Sequence, residues 1–198
     1  MAGIGLSKPY AAIYTDNGDG TVTYADGATI GKAIRLEMSL NGGNENVLYA
    51  DNGAAESDNQ FSGGTITIGT DDLLAEPMTT ILGLTTETIT GTTTNNANWL
   101  TFGDEQVIPY LGFGAIIKKQ QSNETKWVAV VFPKIQFQNP GIVAETQGES
   151  ISWQTPELTA TLMRDDTTNH RWLYMSSVLD TEADAELVIK QKLGITTP

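Results

Sequence analysis

Cysteine is absent and histidine occurs once, at His170. The first absence removes disulfides, thiol nucleophiles and Cys-built zinc or iron–sulfur sites. The second removes any two-histidine metal site within the chain. Positive charge is scarce as well: 11 Lys+Arg stand against 24 Asp+Glu, a formal net charge of −13. Gripping a phosphate backbone takes clustered cations that displace counterions, so this balance argues against a nucleic-acid binder. No apolar run nears the roughly 18 residues that a membrane-spanning helix needs. The opening residues, Met1 to Pro9, have no basic segment followed by an apolar one, which predicts no signal peptide and a soluble protein made in a cytoplasm.

The 198 residues suit a single domain, 1–198, able to bury roughly 70% of the surface its unfolded chain exposes. About one residue in seven is threonine, and glycine occurs 20 times. Threonine fits the pleated surface of a sheet and glycine marks turns, so the composition leans toward β structure. With 39% hydrophobic residues the chain can build a core without a metal or disulfide staple.

Tyr10–Thr15 and Thr21–Tyr24 read as a hairpin around Asp16-Asn17-Gly18-Asp19-Gly20, and Asp26-Gly27 reads as a further turn. Thr29 to Leu40 predicts one long half-buried strand. Ile34, Leu36, Met38 and Leu40 share one face, and Arg35, Glu37 and Ser39 share the other, because strand side chains alternate with period two. Phe61 to Gly69 resumes strand character. Between them, residues 41–60 are rich in turn formers and acids, broken only by Val47-Leu48-Tyr49, which predicts a long loop of the kind that carries function. Its apolar triplet gives it an anchor that a purely solvated loop has no use for.

A short helix is expected at about 75–82, with Pro77 in its first turn and Gly83 as its stop. Val107–Lys118, Trp127–Phe137 and Ile151–Met163 are further strands, with Lys118 to Lys126 forming the hairpin tip between the first two. Arg171–Met175 is a candidate last strand, and Thr85–Asn98 fits either a strand or a loop. Over 181–194, Thr181 with Asp184 resembles a capping box. Acids lie early, Lys190 and Lys192 lie late, and Gly194 ends the helix. The expected class is α+β and mostly β, with a short helix, a long inter-strand loop and a C-terminal helix.

Catalytic chemistry finds little support. Asp16/Asp19, Asp71/Asp72, Asp104/Glu105 and Asp165/Asp166 each fall in a turn or cap, where Asp is favoured for backbone hydrogen bonding alone. The Asp16–Gly20 run fails the calcium-loop spacing, since Gly18, Gly20 and Gly27 stand where oxygen ligands belong. His170 lies in a polar turn with no serine-centred elbow nearby. Gly112-Phe113-Gly114 runs on into a strand rather than opening a helix, unlike a dinucleotide fingerprint. Lys118, Lys119 and Lys126 make a small basic tip of the kind that blunts an exposed sheet edge. Catalytic, cofactor and metal sites are therefore all expected to be none.

Other segments have a family likeness. Asn41-Gly42-Gly43-Asn44-Glu45-Asn46-Val47-Leu48-Tyr49-Ala50-Asp51-Asn52-Gly53-Ala54-Ala55-Glu56-Ser57 is followed by Phe61-Ser62-Gly63-Gly64 and Gly69-Thr70-Asp71-Asp72-Leu73. With Gly5-Leu6-Ser7-Lys8-Pro9-Tyr10, Leu82-Gly83-Leu84, Tyr110-Leu111-Gly112-Phe113-Gly114, Glu145–Ile151 and Thr155-Pro156-Glu157-Leu158, it resembles the major tail (tail tube) protein family of long-tailed siphovirus phages and prophages. The likeness runs in order along nearly the whole chain and matches least over 85–98.

That resemblance implies a tail-tube sandwich or barrel of two packed antiparallel sheets with a flanking helix. It implies hexameric rings stacked into a virion tube through which genomic DNA passes without specific binding. Tape measure, tail terminator and distal tail proteins are the implied partners, with no cofactor and no membrane. Asn44, Val47, Leu48, Tyr49, Asp51, Glu56 and Asp58 become candidates for the ring-stacking loop, and Lys32, Arg35 and Glu37 for a lumen or interface strand. Six copies would carry about −78 per ring, which favours a wall that repels DNA. The alternatives are a tube protein of a contractile tail or tail-like particle, and, from another class, a β-sandwich carbohydrate-binding or adhesion module.

Overall fold

A computed structural model describes residues 2–41, 46–50, 53–58, 61–73, 75–89, 97–142, 144–146 and 154–195. Among the described residues the protein is mostly β with two helices. Its main sheet is antiparallel throughout and runs in the order β2-β1-β9-β10-β11-β6-β3. These strands are β1 (Ala2–Asp16), β2 (Val22–Thr29), β3 (Ala33–Leu40), β6 (Gly64–Thr70), β9 (Leu111–Gln121), β10 (Glu124–Phe137) and β11 (Glu157–Met163). A short β12 (Tyr174–Met175) pairs beside β10. Two hairpins stand apart from this sheet: β4 (Asn46–Ala50) with β5 (Gly53–Asp58), and β7 (Thr85–Ile89) with β8 (Ala97–Thr101). The two layers expected from the sequence are joined by continuous pairing. The sheet curls until β3 lies beside β1, and the Ile30 amide donates to Pro9 O at 3.1 Å where they meet.

Curling creates an inside and an outside, and the centre of the sheet is apolar on both. On β10, Val128, Val130 and Phe132 enter the inner core with Phe113, Ile66, Ile68, Leu158 and Leu162. Their neighbours Ala129 and Val131 point the other way, into a second core with Ala12 and Ile116. A strand buried on both faces reads as an unbroken apolar run rather than an alternating one, as Val128 to Phe132 does.

The helices seal these cores. Helix α1 (Ala75–Leu82) adds Met78, Ile81 and Leu82 to the inner one. It stops at Gly83 (φ +62°), where a Cβ would lie 2.2 Å from Val107 O, so only glycine fits there. Helix α2 (Glu182–Lys192) covers the outer core with Ala185, Ile189 and the following Leu193. Thr181 caps it: its Oγ1 accepts from the Asp184 amide at 3.0 Å. Gly112 and Gly114 line the seat of α2, since a Cβ at Gly114 would come within 2.6 Å of Ile189. Their spacing thus belongs to helix–sheet packing.

Several sequence expectations need correction. The strand expected over Thr29–Leu40 is broken at Ile30–Lys32, where Gly31 takes φ +133° and the chain crosses from β2 to β3. Asp26-Gly27 lies inside β2 rather than in a turn. Within the loop expected over 41–60, residues 46–50 and 53–58 pair as the β4–β5 hairpin rather than a plain loop, with 42–45, 51–52 and 59–60 outside the described residues. The 85–101 region is the β7–β8 hairpin, with 90–96 outside the described residues. The helices at 75–82 and 181–194 and the Lys118–Lys126 tip lie where expected, and the tip turns at Ser122-Asn123.

Candidate assembly surface

The register of β3, β6 and β11 sorts their residues onto two contrasting faces. Cross-strand neighbours in a sheet share a face. Leu36–Ile68–Leu158, Met38–Ile66–Ala160 and Leu40–Gly64–Leu162 form three rows on the inner face. Arg35–Gly69–Glu157, Glu37–Thr67–Thr159 and Ser39–Thr65–Thr161 form the alternating rows on the outer face. The first set is apolar and the second is threonine, serine and charge.

The apolar rows are not covered to their end. Ile66, Ile68, Leu158, Ala160 and Leu162 are buried. On β3, which ends the sheet, Leu36 packs partly against the core, but Met38 is 37% and Leu40 44% exposed, and Ile34, at the bulge between Ala33 and Arg35, is 53% exposed. The expected half-buried strand is therefore a terminal strand whose apolar face this chain leaves largely open. Among the described residues it also has a hydrogen-bonded strand partner on one side only. Open strand edges with exposed apolar side chains invite pairing with another chain.

On the polar face the predicted Arg35 and Glu37 meet a residue that sequence reasoning missed. Arg35 donates to Glu157 Oε1 at 3.3 Å through Nη1 and to Glu37 through Nη2. Gly69 makes room for this, because a Cβ there would sit 3.2 Å from the Arg35 Cβ. One guanidinium between two carboxylates leaves the row one negative charge, set among threonines. All three side chains are more than half exposed, so the pairs contribute little to stability. Lys32 is not part of this face. It precedes β3 and sits 3.7 Å from Asp71, whose carboxyl is held below its usual range by the Lys32 amide and then by the Lys32 charge.

The predicted loop residues divide. Asn44 and Asp51 lie outside the described residues. Val47, Leu48 and Tyr49 belong to β4, and Glu56 and Asp58 to β5. Among the described residues this hairpin pairs with no further strand, and a lone two-stranded hairpin is marginally stable in water. It springs from the end of the barrel marked by Leu40 and Gly64. At the opposite end, beyond Thr70 and before Glu157, an apolar groove of about 640 Å³ opens between Leu73, Met78, Phe102, Pro140, Ile142 and Pro156.

Three of the four carboxylate pairs, all but Asp104/Glu105, have structural partners. Asp165 is buried, and its Oδ1 accepts from the Arg171 amide at 2.8 Å and the Thr167 hydroxyl at 2.7 Å. Asp166 accepts from Lys134 Nζ at 2.5 Å, which leads the causes that hold its carboxyl below the usual range. Asp16 and Asp19 accept from the backbone of their own turn. Among the described residues, no three His, Asp or Glu side chains converge as a metal ion would need. No protein-family model matches the chain, and no curated protein matches it.

Proposed function

We propose that this chain is a self-assembling structural subunit of a phage tail tube, with hexameric rings stacking into a conduit for DNA, and that it is not an enzyme. The observation that carries the reading is the uncovered apolar face of β3, where Met38 continues the row of Ile66 and Leu40 that of Gly64 and Leu162 into solvent, with Ile34 exposed at the bulge beside them. A ring of copies would cover that face and leave no strand edge open.

Two further features support it. The threonine-lined outer face, with Arg35 held between Glu37 and Glu157, is a smooth polar wall with a slight negative excess. Such a wall gives a polyanion nothing to grip. The β4–β5 arm and the apolar groove lie at opposite ends of the barrel, which suits head-to-tail stacking, a heterologous contact that repeats without limit. In this reading the protein resides in the virion tail after assembly in the bacterial cytoplasm. Tape measure, terminator and distal tail proteins are its expected neighbours.

Negative-stain electron microscopy of concentrated protein tests this directly, and rings or tubes are the expected result. A particle that stays monomeric by light scattering at every concentration sinks the proposal. So does tight duplex binding at physiological salt.

A further inference from the structure

More than half of the cations in this acidic chain are neutralised within it. Lys8, Lys32, Arg35, Lys126, Lys134 and Lys190 each have a carboxylate partner. Among the described residues Arg171 and Lys192 have none, although carboxylates outnumber cations more than two to one. The two meet on one aromatic ring instead. Lys192 Nζ stands 3.7 Å, and Arg171 Cζ 5.8 Å, from the centroid of Tyr174 on β12. Their charges are thus no farther apart than the sum of those distances. Tyr174 and Lys192 also form the shared wall of two adjoining hollows along the flank of α2. One, of about 340 Å³, is largely apolar and is lined by Ala129, Val131 and Val188. The other, of about 500 Å³, is edged by Thr21, Thr23, Thr167 and Gln191. The result is a groove with an apolar end and a cationic, hydroxyl-bearing end.

The complementary surface is the turn that follows β8. The Gln106 amide donates to Gly103 O at 3.1 Å, closing a turn with Asp104 and Glu105 at its two central positions. The Gln106 side chain ties that turn to the body, since its Nε2 donates to Leu82 O at 2.8 Å and to Asn139 Oδ1 at 2.9 Å. Asp104 and Glu105 are both exposed, and neither has a cation partner among the described residues. Val107, beside them, is 79% exposed. A fixed knob with two carboxylates and an apolar side chain loses little conformational freedom on docking. It is tied to the end of α1, which packs on the inner core, whereas the groove belongs to α2 on the outer one. A contact between knob and groove is therefore one between copies.

We infer that the groove between α2 and β12 is the docking site for the Asp104–Val107 turn of a neighbouring copy. Arg171 and Lys192 receive Asp104 and Glu105, and the hollow at Val131 and Val188 receives Val107. This rests on the tube reading and adds to it a named, salt-sensitive contact. Two different surfaces in contact make a heterologous joint, the kind from which rings and stacks are built. The plainer role for Lys192 is to complement the negative end of α2, and for Arg171 to lie on Tyr174. Neither role involves residues 104–107, so reciprocal charge reversal separates the two.

The test compares assembly by sedimentation and electron microscopy for four proteins. They are wild type, the groove pair (Arg171→Glu, Lys192→Glu), the turn pair (Asp104→Lys, Glu105→Lys) and the fourfold variant that combines both pairs. Thermal melts check that each is folded, and Arg171→Gln with Lys192→Gln replaces the groove pair should that one unfold. Each pair alone should need at least about tenfold more protein to assemble, because like charges then face each other across the joint. The fourfold variant should assemble like wild type, since its reversed turn finds a reversed groove. High salt should weaken wild-type assembly. If wild type forms rings or tubes and both pairs do so equally well, the inference falls and the tube reading stands. If the pairs fail and the folded fourfold variant fails too, the two surfaces do not meet and the inference falls. If wild type never assembles, both fall. If the groove pair instead loses binding to a duplex DNA probe that wild type holds, the cations serve a polyanion and the inference is overturned.

Discussion

The Tyr10 hydroxyl donates to Glu186 Oε1 at 2.6 Å, joining the first strand to the last helix across 176 positions of sequence. The same carboxylate takes Lys190 at 2.8 Å and Lys8, which reaches it from a bulge where Lys8 has φ +51°. Beside it, Ser7 donates to Glu182 at 2.5 Å. This polar seam closes over the second core, so α2 is held by charge at its rim and by Ala185, Ile189 and Leu193 beneath.

A pH dependence follows from that seam. Hydrogen bonds from Lys190, Lys8 and Tyr10 hold the Glu186 carboxyl down at about 2, below its usual 4.5. A depressed carboxylate stabilises the fold above its unfolded pKa and loses that contribution as pH falls through the folded one. Glu186→Gln should therefore cost roughly 2 kcal/mol at pH 7, the scale of hydrogen bonds to a charged group. The gap should close between pH 4.5 and 2. Urea unfolding at several pH values checks it, and a gap that is unchanged at pH 2 refutes it.

Gly114 offers a packing test. A methyl group there would lie 2.6 Å from Ile189 Cγ2, so Gly114→Ala should destabilise by about 1–3 kcal/mol through overpacking. Pairing it with Ile189→Ala should cost less than the sum of the two single changes, because the second creates the space the first needs. Additive costs would mean that the helix does not sit on this glycine.

The open face of β3 predicts the opposite pattern. Ile34→Lys and Leu40→Lys alter exposed side chains, so each should shift stability by no more than about 0.5 kcal/mol. Together they should abolish self-association, because the charged pair would have to be buried between copies. Size-exclusion chromatography with a thermal melt reads both. Loss of folding instead of assembly would place these residues in the subunit core.

Deleting residues 44–59 removes the arm and none of the core residues named above. The subunit should remain folded, with unfolding free energy within about 1 kcal/mol of wild type, as for an exposed loop. Tubes should be lost. Normal tubes seen by electron microscopy after this deletion would refute the assembly role of the arm.

Much of the local structure was legible. Pro77 and Gly83 bracket α1, and Thr181, Asp184 and Gly194 bracket α2, because caps act over three or four residues. Ser122-Asn123 turns the β9–β10 hairpin for the same local reason. The break at Ile30–Lys32 was not legible, since its cause is the crossing from β2 to β3 and the bond to Pro9 O. Gly112 and Gly114 looked like a failed nucleotide motif until Ile189 and Leu193 supplied their purpose. Glu157 drew no attention because its partner Arg35 is 122 residues away and reaches it across Gly69.

What the amino-acid order determined by itself is which residues share a face. Alternation put Leu36, Met38 and Leu40 together and Arg35, Glu37 and Ser39 together, because a strand turns successive side chains to opposite sides, whereas the bulge between Ala33 and Arg35 takes Ile34 out of that alternation. Scarce cations, one histidine and no cysteine likewise bounded the chemistry before any fold was known. Only the tertiary structure decided which faces are covered. Burial depends on what packs opposite, and β3 ends the sheet where, among the described residues, no strand or helix lies over its apolar side. The same apolar stripe would be core in the middle of the sheet, and at its edge it stays exposed to solvent.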